Sequence, residues 1–163
     1  MTTSFTRLAA AAGIAILAAT AMTGCSMMGA GGGGSAASLP NALTARMDQP
    51  GAVLDRRAAI ELINSYRGTR GVAPLSSDTG LDGTAQALAN QYAQTGNAPA
   101  TPQGLVVMKL SAGYSTIADT FSGWRNSPAD AAGLAAQASK AGIAVAFNAS
   151  SGYGVYWVLV LGN

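Results

Sequence analysis

Helices packed on an antiparallel sheet, an α+β domain, are the fold class this sequence predicts, and three observations predict it. From Leu54 to Ala138, successive stretches place apolar residues at helical spacing, bounded by capping residues or glycines. After Lys140 the pattern changes to alternation, with Ile143, Val145 and Phe147 followed by the β-rich run Tyr153 to Leu161. A short turn at Ala149 to Gly152 joins those last two runs and makes them neighbours. Separate helical and strand layers are the expected outcome.

The first helix follows from Leu54, Ala58, Leu62 and Tyr66, joined by Ala59 and Ile63, on one face between Asp55 and Arg67. Gly68 and Gly71 break that pattern, and Val72-Ala73-Pro74-Leu75 is an extended connector. Asp78 is placed to cap a second helix whose stripe is Leu81, Ala85, Leu88, Ala89 and Tyr92, stopping at Gly96. Asn97 to Gln103 has no period and carries prolines, so it is a loop, and Leu105 to Leu110 is a short apolar strand. Ser115 is placed to cap a third helix with Ile117, Phe121 and Trp124 at core spacing. Ser127-Pro128-Ala129-Asp130 combines a hydroxyl N-cap, a proline at the first helical position and an acid in the first turn. The fourth helix it opens carries Ala131, Leu134, Ala135 and Ala138, with Lys140 at its C-terminus and Gly142 as its left-handed stop.

Residues 1–24 read as a lipoprotein signal peptide. Arg7 supplies the positive start, Leu8 to Ala21 is almost wholly apolar, and Met22-Thr23-Gly24-Cys25 presents small residues before the only cysteine. About 14 apolar residues fall short of the ~20 that a spanning helix needs. Cleavage before Cys25 and acylation of its thiol is the expected membrane hold. The alternative is an ordinary secretory signal cut after Ala30, Ala36 or Ala37, leaving a soluble periplasmic protein. Ser26 follows the cysteine where an Asp signals inner-membrane retention in enterobacterial lipoproteins, which favours the outer membrane, facing the periplasm. Residues 25–40 form the lipidated cysteine and a Gly/Ala/Ser tether with a random-coil reach of roughly 20 Å. Its Gly29 to Gly34 run matches a dinucleotide glycine pattern only in letters, with no strand before it and no helix after it. Residues 41–163 have the size of one domain.

Lys and Arg number 9 against 7 Asp and Glu, and Arg7 leaves with the leader, so the rest is near neutral and nucleic acid is excluded as a partner. Charged residues are 10% of the chain, against about 25% in typical soluble domains, so Ser, Thr, Asn and Gln must cover much of the surface. With one cysteine the fold gains no internal disulfide. The chain contains no histidine. Without His or a free thiol the usual nucleophile and base pairs are excluded, leaving a carboxylate or Lys as base.

Four segments in order resemble one family: Leu62-Ile63-Asn64-Ser65-Tyr66-Arg67, Gly71-Val72-Ala73-Pro74-Leu75, Phe121-Ser122-Gly123-Trp124-Arg125-Asn126-Ser127-Pro128, and Gly142-Ile143-Ala144-Val145-Ala146. They resemble the CAP superfamily of cysteine-rich secretory, antigen-five and pathogenesis-related proteins, and Tyr156 to Gly162 resembles its closing strand. The resemblance covers about Leu54 to Gly162. It implies a three-layer α-β-α sandwich with a small antiparallel sheet.

It also implies a central cleft in which two His and one or two Glu can hold a divalent metal. Here the first histidine falls near Ala100, the glutamate falls on Met108, and the second histidine falls on Asp130. The expected consequence is a degenerate cleft with no metal, no cofactor and no catalytic residue.

Other residues each have a functional and a plain structural reading. Asp130 is the surviving candidate base, yet an acid in the first turn of a helix already explains it. Lys109 and Ser111 are too far apart along a strand, about 7 Å, for a Ser/Lys pair. Asp78 and Asp82 are read as cap and dipole complement rather than as calcium ligands. Asn148-Ala149-Ser150 matches a glycosylation acceptor by chance. Trp124, Trp157, Tyr114, Tyr153 and Tyr156 have binding character, with core packing the favoured reading for most of them.

The functional expectation is an envelope-anchored, non-catalytic protein acting by binding or structural contact, with an envelope protein as one class of partner. A carrier of lipid or another small apolar ligand, using a cleft made apolar by Met108 and Ala100, is one alternative. A hydrolase acting on peptide or envelope material through Asp130 is the other.

Overall fold

The computed structural model describes residues 39–163; the signal peptide, Cys25 and most of the tether lie outside the described residues. The elements in order are α1 (Asn41–Thr44), α2 (Arg56–Thr69), β1 (Ser76–Ser77), α3 (Thr79–Thr95), β2 (Val107–Ala112), α4 (Ile117–Asn126), α5 (Pro128–Leu134), β3 (Lys140–Phe147) and β4 (Val155–Gly162). The sheet order is β1-β3-β4-β2.

Strand β4 organises the core. All its residues are buried, and its alternation divides them between two layers. Val155, Trp157, Leu159 and Leu161 join Ile60, Ile63, Phe121, Trp124 and Leu134 on the face covered by α1, α2, α4 and α5. Tyr156, Val158 and Val160 join Ala85, Leu88, Ala89 and Ala93 of α3 on the other. Fully burying a large aliphatic side chain contributes about 1.5–3 kcal/mol, so this one strand supplies much of both cores. The α-β-α sandwich implied by the resemblance is the observed architecture.

The sheet is mixed rather than wholly antiparallel. β3 and β2 both run antiparallel to β4, but β1 pairs with β3 in parallel, Ser76 with Lys140 and Ser77 with Ala141. Beyond Ala141 the outer edge of β3 is met by side chains instead of a strand. Asp82 accepts from the Ile143 amide at 3.0 Å, Arg56 donates to the Ile143 carbonyl at 2.9 Å, and Gln86 donates to the Val145 carbonyl at 3.1 Å. Satisfying those groups blunts an edge that otherwise invites another chain.

Local capping works as expected in α2 and α3. Asp55 accepts from the Ala58 amide and Asp78 from the Leu81 amide, both at 2.9 Å, while Gly96 ends α3 in the left-handed region at φ 68°. Elsewhere the structure corrects the expectation. Thr116, not Ser115, caps α4, accepting from the Asp119 amide at 3.1 Å; the Ser115 carbonyl instead accepts from the Met47 amide. Ser127 makes no side-chain cap to α5, leaving Pro128 to set its start.

The fourth helix also stops early, at Leu134. Arg67 is the cause: fully buried, it donates to the carbonyls of Leu134 at 2.7 Å, Ala136 at 2.8 Å and Ala138 at 3.4 Å, and to Ala73 at 2.9 Å. One guanidinium thus draws the segment after α5 into an irregular path. Lys140 and Gly142 belong to β3 as a result. Helix α1 and strand β1 have no counterpart in the sequence reading.

Candidate functional site

The three positions expected to line the cleft do not combine into a charged site. Ala100 is exposed in the loop after α3. Met108 points to the α3 layer, packed with Leu110, Ala112 and Leu105 against its buried cluster. Asp130, in the first turn of α5, accepts from the Lys109 ammonium at 2.9 Å.

Adjacent strand residues project to opposite faces. Met108 and Lys109 therefore leave β2 in opposite directions, and Asp130 meets the second. The Lys109 side chain is only 15% exposed and that of Asp130 34%. The lysine stem runs beneath α5 at Gly133, where an added Cβ would stand 2.1 Å from its Cε. Lys109 is thus a sheltered partner of Asp130. No sequence signal joins the two, because they are 21 residues apart and each has a plain local reading.

The other candidates take structural roles. Asp78 caps α3, and Asp82 serves the β3 edge with Arg56 3.9 Å away. Asn148 donates to the Ala93 carbonyl at 2.7 Å and accepts from the Ser150 amide at 3.0 Å, shaping the turn before β4. Trp124 and Trp157 are core residues whose indoles donate to the Leu110 and Tyr114 carbonyls at 3.0 and 2.8 Å. Tyr114 and Tyr153 are exposed and Tyr156 is buried.

The apolar concavity lies elsewhere, over the α1–α2–α4 layer. A recess of about 390 Å³ is lined by Leu62, Ser65, Tyr66, Thr69, Phe121 and Arg125. Two more, of about 250 and 260 Å³, continue from Leu62 to Leu43, one toward Ala118 and Leu39 and the other toward Ala58 and Pro40. Together they form a groove floored by Leu62. Tyr66 meets Phe121 edge-on at 5.9 Å, and the Arg125 guanidinium lies 5.9 Å from the Phe121 ring centre. The groove is apolar along its floor, carries Arg125 and Glu61 in its lining, and includes α1, the element missed from sequence.

This arrangement of sheet, layers and β4 defines the sandwich class. The family model of the cysteine-rich secretory proteins, CAP, matches residues 60–161. The chain belongs to the CAP family.

Solved structures agree on the fold. An outer surface protein from Borrelia burgdorferi aligns with TM-score 0.56 at 16% identity, covering 66% of this chain and 90% of that one. MpPR-1i aligns with TM-score 0.52 at 23% identity, covering 64% and 82%. A cysteine-rich secretory protein from Staphylococcus aureus aligns with TM-score 0.52 at 13% identity, covering 69% of this chain but 40% of that one. No curated protein matches. Among the described residues, no helix is long and apolar enough to cross a membrane.

Proposed function

We propose that this chain is a lipid-anchored protein of the bacterial cell envelope whose CAP domain works by binding or structural contact rather than by catalysis. The observation that carries the reading is the fate of Asp130. As the one acid at a degenerate cleft position, it is paired with Lys109 at 2.9 Å, while Ala100 and Met108 offer no proton-transfer group. A general base must present its lone pair to a substrate. The apolar leader ending at Cys25 and the likeness in fold to a bacterial outer surface protein support the envelope placement.

The test has two parts. Labelled palmitate should enter the wild-type protein and not Cys25→Ser, and the variant should leave the membrane fraction. Equal labelling of both would remove the anchor. Asp130→Asn should leave peptide- and cell-wall-hydrolysing activity at background in both proteins; a wild-type activity abolished by the substitution would restore the hydrolase reading.

The groove at Leu62 favours a second reading, a carrier of a small apolar ligand. Its largest recess lies within the ~300–1,000 Å³ typical of ligand pockets, and Arg125 at the rim suits an anionic head group. Native mass spectrometry of protein from the envelope should then show an adduct that solvent extraction removes and Leu62→Gln reduces. A bare polypeptide mass before extraction would count against the carrier.

A further inference from the structure

Tyr92, Tyr153 and Tyr156 meet at the end of the sheet where β4 begins. Tyr156 is fully buried, between its cross-strand partners Ala112 and Ala146. Its hydroxyl has no hydrogen-bond partner among the described residues. A phenylalanine at 156 would fill the same space without stranding a hydroxyl, and buried polar groups in native proteins are nearly always paired with protein, water or ligand.

Tyr156 lies in the core on the α3 side, with two more tyrosines against its ring. Tyr92 approaches the Tyr156 ring edge-on at 4.8 Å and Tyr153 at 6.2 Å. Tyr153 is 62% exposed, stands between Gly152 and Gly154 in the turn before β4, and lies against Gly113, where an added Cβ would be 3.6 Å from its ring. The surroundings are uncharged: burial, then Tyr153 and Tyr156, push the Tyr92 pKa up, with no carboxylate or cation contributing.

We propose that this cluster is a binding subsite for a neutral sugar ring. Tyr153 swings aside to stack on the C–H face of the sugar, and the Tyr156 hydroxyl meets one sugar hydroxyl. An apolar ligand would leave that hydroxyl unpaired, and an ion would find no opposite charge. A sugar ring supplies both the flat apolar face and the hydrogen-bonding edge that the site lacks.

The test is an NMR titration of the processed protein, with tyrosine rings labelled, using chitotetraose and maltotetraose as two neutral probes. Saturable shifts are expected at Tyr153, Tyr156 and residues 148–154. Tyr156→Phe should keep the fold and weaken binding roughly tenfold through loss of one hydrogen bond. Tyr153→Ala, at an exposed position, should weaken it at least as much. Response to chitotetraose alone assigns the site to N-acetylated amino-sugar glycans, and response to maltotetraose alone assigns it to plain glucans; either upholds the proposal. No saturable shift with either probe, shifts confined to another face, or unchanged affinity in Tyr156→Phe overturns it.

Discussion

Gly142 lies directly beneath the backbone of Leu81: a Cβ at 142 would stand 2.1 Å from the Leu81 carbonyl carbon and 2.3 Å from the Asp82 amide nitrogen. Helix α3 rests on β3 at this point because one strand residue has no side chain. Since both contacts are with backbone, no rotamer change relieves them. Gly142→Ala should lift the start of α3, break the Asp82 bond to the Ile143 amide, and cost about 1–3 kcal/mol or more, the range for overpacking. Urea denaturation checks it; a variant within about 0.5 kcal/mol of wild type, the range of neutral surface changes, would show that the layer spacing is soft.

Arg67 should be among the most sensitive positions. Its buried guanidinium donates to four carbonyls, on the connector after α2, on the last residue of α5 and on the segment after it. Removing it strands those acceptors, so Arg67→Met should destabilise by about 3–5 kcal/mol, as breaking buried charged networks does. Arg67→Lys should recover little, because a point ammonium cannot reproduce a planar fork with five donors. Chemical denaturation of both variants measures the difference.

Lys109 and Asp130 should behave as a modest, local pair. With the acid about one-third exposed, a double-mutant cycle of Lys109→Met and Asp130→Asn should return a coupling of about 0.5–1 kcal/mol. A coupling near zero would mean that the lysine is held by its stem against Gly133 alone.

At high pH the tyrosine cluster should lose stability. Tyr92 has a folded-state pKa raised above its ordinary 10.0, so the folded protein holds the phenol proton where the unfolded chain releases it. The resulting stability is fully present below pH about 10 and is lost as pH rises through the folded value. Thermal melts from pH 8 to 11 should fall less steeply above pH 10 for Tyr92→Phe than for wild type. Parallel curves would place the alkaline sensitivity elsewhere.

Which features the sequence disclosed follows from how far their causes reach. Asp78 and Gly96 bound α3 through contacts within one helical turn, so letters alone suffice, and the stripe from Ile117 to Trp124 is legible for the same reason. The end of α5 is set by Arg67, far back in the chain, and no local pattern anticipates a guanidinium taking those carbonyls. Gly142 reads as a helix stop because nothing near it in the chain announces α3 above it. At the candidate site, the absence of histidine and the replacement of the expected acid at Met108 are legible. The groove at Leu62 is not, since Leu43 and Phe121 reach it only through tertiary packing.

Strand β4 lies between β3 and β2, and both hydrophobic layers close on it, although it is the last element in chain order. A chain arriving N-terminus first therefore cannot complete either layer until residues 155–162 appear. Such an order favours late, all-at-once folding from long-range contacts rather than stepwise folding of early segments.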